Sequence, residues 1–386
     1  MSYLYQHVGC PVLMGRGCIQ ELGSRLKAMG AQKVLIIHGK TTQRIGLLKR
    51  ITDQLDQEQL DYVGYDGVLP DPTDTLVEEG AKLAREEQVD AIVAVGGGSA
   101  LDTAKALNVL IHNPPPLSQY YGAPRHLEPG LPLICVPTTA GTGSEITRVS
   151  VITNTKNGNE KAVVLHQSLL PVLSVVDPEL MQDMPASLTA ATGMDALSHS
   201  VESMTGAGAN PMVDAIDREV IRMIKANLPL AVADGKNMEA REAMAYAATL
   251  AGIAFTNTRV HLGHAISHVL GAHYHIPHGV ACALALPAVV RWSAAAVPGQ
   301  VKMVGEALGC PVPERGSPEE IGAVVAQALN ELKRAVNIPT LGSYGVQKGD
   351  LPGLLLPIKA QSPFAARPQE ISDQELLALL EEIYDG

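Results

Sequence analysis

The sequence predicts an α/β domain over residues 1–185 followed by an all-helical domain over residues 186–386. Three observations predict it. Short apolar runs alternate with helical stretches through the first half, one of these runs enters a glycine turn that opens a helix, and strand-like runs disappear after about Pro185.

The apolar runs are Val34–Ile37, Ala91–Val95, Leu133–Val136 and Leu173–Val176, each bounded by glycine, proline or polar residues. Runs of this kind suit strands buried on both faces of a parallel sheet. The Pro114–Pro116 triplet and the Gly/Pro-rich stretch Tyr121–Pro132 read as one surface connection between a helix and a strand. In the second half, Asn210 followed by Pro211 forms an N-cap with a first-turn proline, and Val213, Ile216, Val220 and Ile224 then recur at spacings of three and four. Met238–Ala254 has equally high helix propensity. Ser372 with Glu375 three residues on forms a capping box that opens a helix through Leu376 to Ile383.

A chain of 386 residues accommodates two cores, and 46% hydrophobic with 18% charged residues is globular composition. The formal net charge of -11, with no Lys/Arg run to reverse it locally, disfavours nucleic acid and anionic membrane surfaces as partners. Small-molecule chemistry is the expectation. Cys10, Cys18, Cys135, Cys282 and Cys310 are odd in number and show no CxxC spacing, so they read as reduced core residues of a cytoplasmic protein. No basic segment leads an apolar run at the N-terminus, and no stretch reaches the ~20 apolar residues of a membrane span.

The clearest local signal is Ala91–Val95 followed by Gly96, Gly97, Gly98 and Ser99, then a helical pattern at Leu101, Ala104, Leu107, Leu110 and Ile111. Glycines let backbone N–H groups approach a diphosphate, and the helix N-terminus adds partial positive charge. The run is not GxGxxG, and standing alone it reads first as a plain tight turn. A second strand, Leu133–Val136, leads into Pro137, Thr138, Thr139, Ala140, Gly141, Thr142, Gly143, Ser144 and Glu145, which packs hydroxyls and small residues at another strand end. Ligands of open α/β sheets sit beyond the carboxyl ends of strands, so the two loops could converge.

Six of the twelve histidines, His261, His264, His268, His273, His275 and His278, fall within one short stretch. Upstream, Asp195 and His199 are four apart, which places a carboxylate and an imidazole on one helix face. One carboxylate with several imidazoles suits Fe²⁺ or Zn²⁺. Alone, Asp195 and His199 read first as a pair bonded along one helix; the downstream cluster tips the reading toward metal.

With these residues in place, the chain resembles the iron-containing (group III) alcohol dehydrogenase family, which includes lactaldehyde reductases, propanediol dehydrogenases and butanol dehydrogenases. The resemblance rests on Gly96–Ser99 with Asp102 and Lys105, on Pro137–Glu145, and on Ala191–Asp195 through His199 and Glu202. It continues through Gly263–Ala265, His268 with Leu270 and Gly271, and Pro277–Gly279. It implies a Rossmann-like N-terminal dinucleotide-binding domain and a helical metal-binding domain, in a dehydroquinate synthase-like arrangement. By motif position it implies Asp195, His199, His264 and His278 as metal ligands and His268 as a proton relay. Gly97, Gly98, Ser99, Asp102, Thr138, Thr139, Thr142 and Lys161 would hold the cofactor, with Asp71 and Leu180 nearby and Phe255 as a wall of the substrate pocket. His261, His273 and His275 fall outside the motif positions and are not expected to bind metal.

The function implied is hydride transfer between NAD or NADP and a small alcohol or aldehyde, with Fe²⁺ the first choice of metal and Zn²⁺ the second. A homodimer or larger homo-oligomer is expected. The rival readings are a glycerol dehydrogenase-like or dehydroquinate synthase-like enzyme, or a nucleotide-binding sensor without turnover. The chain departs from the family pattern twice. Gly39 stands where an acidic residue is common after the first strand, and Ala365-Ala366-Arg367 replaces Asn-Pro-Arg. An acidic side chain at that strand end would bind ribose hydroxyls and repel a 2′-phosphate. Gly39 does neither, and Lys40, Thr41, Thr42 and Arg44 follow it, so NADP(H) is expected to serve at least as well as NAD(H).

Overall fold

The computed structural model describes residues 8–158 and 160–386, which divide into a unit Val8–Asp183 and a unit over Met184–Gly386. The first unit is built on a six-stranded sheet of β1 (Val12–Met14), β2 (Lys33–Gly39), β3 (Asp61–Val68), β4 (Ala91–Gly96), β5 (Leu133–Pro137) and β8 (Leu173–Val176). All its pairings are parallel, in the order β1-β8-β5-β4-β2-β3. Helices α1 (Leu22–Ala28), α2 (Lys40–Arg44), α3 (Leu47–Gln57), α4 (Asp74–Glu86) and α5 (Gly98–His112) are interleaved with the strands.

The inner strands β2, β4, β5 and β8 are mostly apolar because both faces are covered. Leu35, Ile37, Ile92 and Ala94 pack with Val77, Ala81, Leu101 and Leu107 of α4 and α5 on one face. Val34, Ile36, Val93 and Val95 pack with Leu22, Leu26, Ile51 and Leu55 of α1 and α3 on the other.

Four strands fall outside the sequence reading. β1 and β3 occupy the two edges of the sheet, and β3 (Asp61–Val68) carries Gly and Asp among its residues and exposes alternate positions. Half-exposed edges do not read as apolar runs. The other two, β6 (Val149–Asn154) and β7 (Glu160–Leu165), form a separate antiparallel hairpin. The connection ahead of β5 is also more than a surface loop: Leu117 and Leu127 are buried in the core, and Gly122 bridges to Val164 of the hairpin.

The second unit contains α6 (Ala186–Thr205), α7 (Pro211–Ala233), α8 (Met238–Asn257), α9 (Leu262–Tyr274), α10 (His278–Ser293), α11 (Pro298–Leu308), α12 (Pro318–Ala335), α13 (Leu351–Lys359) and α14 (Asp373–Asp385), and no strand among the described residues. Asn210 caps α7 by accepting from the Val213 N–H, and Ser372 with Glu375 forms the capping box of α14. Leu262, Ile266, Val269 and Leu270 of α9 share a core with Ala281, Leu284 and Val289 of α10. At the substituted tripeptide, the Arg367 guanidinium lies over the Phe364 ring at 4.2 Å, and Ala366 O accepts from the Ala207 N–H. No helix among the described residues is long and apolar enough to cross a membrane.

Candidate nucleotide loops and metal centre

The two loops expected to converge do so. Thr138 N donates to Gly96 O at 2.9 Å, carrying the loop after β5 against the glycine turn after β4. A Cβ built on Gly97 would lie 3.2 Å from Thr139, and one on Gly98 would lie 2.8 Å from Thr142. Gly96 has φ +153°, and a Cβ there would stand 2.7 Å from Ala100 Cβ. The glycine run therefore serves three purposes at once: an extended left-hand-side turn, close approach of Thr139 and Thr142, and bare N–H groups at the start of α5. Ser99 lies in the first turn of that helix.

Asp102 is occupied within the protein. Its Oδ1 accepts from Ser144 Oγ at 2.6 Å and its Oδ2 from Val151 N–H at 2.9 Å, which ties α5 to the second loop and to β6. Lys105, one turn on, is fully buried and donates to Ser144, Thr147 Oγ1 and Val149 O. Burial pulls its ammonium below the ordinary lysine value, with the Asp102 charge opposing. Lys161 pairs with Asp71 and donates to Thr153 Oγ1 at 3.1 Å, so these two expected cofactor residues form one surface pair. Leu180, in the short turn Pro178–Met181, is buried in the core cluster that holds Ile19, Leu47 and Ile51.

Asp195 and His199 lie on α6, His264 and His268 on α9, and His278 at the start of α10. The Asp195 Oδ1 atom stands 3.8 Å from His199 Nε2, 3.8 Å from His264 Nε2 and 3.6 Å from His278 Nε2. Donors each ~2.1 Å from one cation in a tetrahedral set stand roughly 3.4 Å apart, so this spacing fits a metal. Asp195 Oδ1 and His264 Nε2 are buried without a hydrogen-bond partner, a costly condition that a cation relieves. Burial pushes the Asp195 carboxyl above the usual carboxylate range, with His199 opposing, and holds the His264 imidazole well below its ordinary value. A neutral imidazole is the form that ligates.

Glu202 holds this arrangement from behind. Its Oε1 accepts from the Gly263 N–H at 2.5 Å, and its Oε2 accepts from His264 N–H at 3.3 Å and from His264 Nδ1. A carboxylate on Nδ1 leaves the Nε2 lone pair facing the cluster. Gly263 has to be glycine, since a Cβ would stand 2.8 Å from Glu202 Oε1. His261, fully buried, bonds Thr205 Oγ1 at 2.9 Å and lies 3.4 Å from Glu202, a supporting position rather than a donor to the cluster. His273 bonds the Val269 carbonyl, and His275 ends α9 with φ +54°.

Phe255 stacks on His199 with ring centroids 4.3 Å apart. The His268 ring lies 5.7 Å from that of His278, and its Nδ1 is 3.2 Å from Gln361 Oε1. One residue escaped the sequence reading. Cys282 places Sγ in the cluster, so that Asp195, His264, His278 and Cys282 bring donor atoms within 4.8 Å of one another. Its signal was available: His278 and Cys282 are four apart, hence on one face of α10.

A parallel sheet with a glycine cradle at a strand end, together with a buried carboxylate–imidazole cluster, fits a metal-dependent enzyme that uses a nucleotide cofactor. Residues 11–178 match the family model described as iron-containing alcohol dehydrogenase, and residues 189–384 match its C-terminal family model. The chain is 38% identical to a 1,3-propanediol dehydrogenase of Klebsiella pneumoniae over 99% of its length and 98% of that protein's. It is 39% identical to an NAD-dependent methanol dehydrogenase of Bacillus methanolicus over 83% of each chain. The crystal structure of a 1,3-propanediol oxidoreductase superposes with a TM-score of 0.95 at 36% identity, covering 99% of this chain and 100% of that one. The chain belongs to the iron-containing alcohol dehydrogenase family. It is an enzyme that moves a hydride between a nicotinamide cofactor and a small alcohol or aldehyde.

Proposed function

We propose that Asp195, His199, His264 and His278 hold the catalytic cation, Fe²⁺ ahead of Zn²⁺, and that the helical unit is the metal-binding domain while the α/β unit binds the dinucleotide. The observation that carries the assignment is the pair of buried, unpartnered atoms, Asp195 Oδ1 and His264 Nε2, amid imidazole nitrogens at metal-ligand spacing. When bound, the cation supplies Lewis acidity to the substrate oxygen, and the nicotinamide ring takes up or gives back the hydride.

The residues of the chain do the rest. Gly97, Gly98 and Ser99 offer backbone N–H groups to the pyrophosphate, and Thr138, Thr139 and Thr142 offer hydroxyls beside them. Asp71 and Lys161 flank the cofactor, and Asp102 acts by fixing the second loop through Ser144. Phe255, packed on His199, forms an apolar wall for a small substrate. His268 carries the hydroxyl proton, with Gln361 Oε1 3.2 Å from its Nδ1 to orient the ring.

Gly39 has ordinary extended geometry, φ -92° and ψ 161°, at the start of α2, with Lys40, Thr41 and Arg44 exposed around it. That surrounding supports acceptance of NADP(H) at least as well as NAD(H). Cytoplasmic location is supported by five cysteines without a disulfide. A homodimer or larger assembly is supported by the open edge of β3 with Tyr62 exposed.

The test of the centre is His264→Ala, assayed for metal content and for turnover on a panel of small alcohols and aldehydes. Loss of both with the fold retained is expected. Full metal content at wild-type rate would overturn the assignment.

A further inference from the structure

Cys282 sits one helical turn after His278, and its Sγ lies 3.6 Å from His278 Nε2. With only 1% of its surface exposed, it is sealed from bulk solvent. Its thiol also hydrogen-bonds to the Asp195 carboxyl. The same carboxylate, through Oδ1, is the hub from which three imidazole nitrogens are 3.6–3.8 Å away. Asp195, His264, His278 and Cys282 bring donor atoms within 4.8 Å of one another, so a cation drawn to the unpartnered Asp195 Oδ1 and His264 Nε2 arrives beside the sulfur.

We propose that Cys282 is a sulfur donor to the resident cation, making the centre a mixed carboxylate, imidazole and thiolate site with a bias toward softer ions. The proposal rests on the reading that the cation occupies this cluster. On coordination the S–H bond breaks, its proton leaves to solvent and the sulfur lone pair binds the metal; no oxidant or reductant is needed. A thiolate raises affinity for Zn²⁺ and Co²⁺ relative to what carboxylate and imidazoles alone would give, so this chain should retain zinc against iron better than a sulfur-free set.

The alternative is a thiol that packs behind the ligands and only orients them. Affinity does not separate the two, since losing an orienting residue also costs about 10- to 100-fold in metal binding. A spectrum does. The full-length protein, stripped of metal, is titrated with Co²⁺ and followed through the visible d–d bands and the near-ultraviolet thiolate-to-cobalt charge-transfer band.

Wild type should develop both. Cys282→Ala should keep the d–d bands and lose the charge-transfer band, and the near-isosteric Cys282→Ser should do the same. In a competition with equal Zn²⁺ and Fe²⁺ under anaerobic conditions, both variants should bind a lower ratio of zinc to iron than wild type. Bands of the d–d type without charge transfer in wild type, or charge transfer that persists in Cys282→Ala, would overturn the role of Cys282 and leave the centre standing. Co²⁺ spectra unchanged by His264→Ala would overturn the metal centre itself, and the Cys282 proposal with it.

Discussion

Replacing Glu202 probes how much of the metal affinity resides in a residue that never touches the metal. The carboxylate is 1% exposed and accepts from three donors: the Gly263 N–H, the His264 N–H and His264 Nδ1. In Glu202→Gln one acceptor oxygen becomes an NH₂ that can only donate. If the remaining oxygen faces Gly263, the NH₂ meets His264 Nδ1 and favours the tautomer with its proton on Nε2, the atom that should ligate. The expected penalty is about 10- to 100-fold in metal affinity, or roughly 1.4–2.8 kcal/mol at 1.4 kcal/mol per decade.

Glu202→Ala strips all three donors. At about 1–3 kcal/mol for each buried donor left unmade, it should lower stability by at least about 3 kcal/mol even without metal. Chelator competition measures the metal Kd of the glutamine variant, and urea unfolding of the metal-free protein measures the alanine variant. A metal Kd for Glu202→Gln within about threefold of wild type, under ~0.7 kcal/mol, would refute the claim that Glu202 sets the His264 tautomer.

His268→Ala should keep its metal, lose turnover and change the pH profile of kcat, because the proton loses its carrier; unchanged kcat across pH would remove it from the mechanism. Gly39→Asp should shift kcat/KM toward NAD(H) at the expense of NADP(H), and a wild-type preference for NAD(H) above about tenfold, ~1.4 kcal/mol, would reject the proposed cofactor tolerance. Asp217 on α7 is fully buried, and burial raises its carboxyl well above the usual value, with the nearby Asp214 charge adding to the rise and the Ser203 and Ser200 hydroxyls opposing it. Its folded-state pKa exceeds the unfolded one, so its contribution is whole below about pH 4 and is lost as pH climbs through the folded value. Asp217→Asn should therefore match wild type near pH 4 and exceed it in urea unfolding at pH 7 by about 1.4 kcal/mol for each tenfold of proton affinity removed; equal stability at both pH values would contradict this.

Patterns confined to a few neighbouring residues were readable without coordinates. Apolar runs marked the four inner strands because both of their faces are buried, and Asn210 and Ser372 marked helix starts because capping joins residues three apart. Asp195 with His199, and His264 with His268, were legible as pairs because a helix brings positions four apart to one face. The motif resemblance extended this to the proposed ligand set and to the glycine cradle. Edge strands escaped, since β3 alternates exposed and half-buried positions around Gly64 and Asp66 instead of presenting an apolar run.

Tertiary packing decided what depends on long loops closing. Glu202 is separated from Gly263 by 61 residues and Asp102 from Ser144 by 42, so no local pattern specifies either contact. The packing of α6, α9 and α10 decided that Cys282 shares a centre with Asp195, 87 positions earlier in the chain by 282 minus 195. Residue types announce which chemistry a chain can perform, but the distance between donor atoms exists only after three helices have buried their apolar faces against one another.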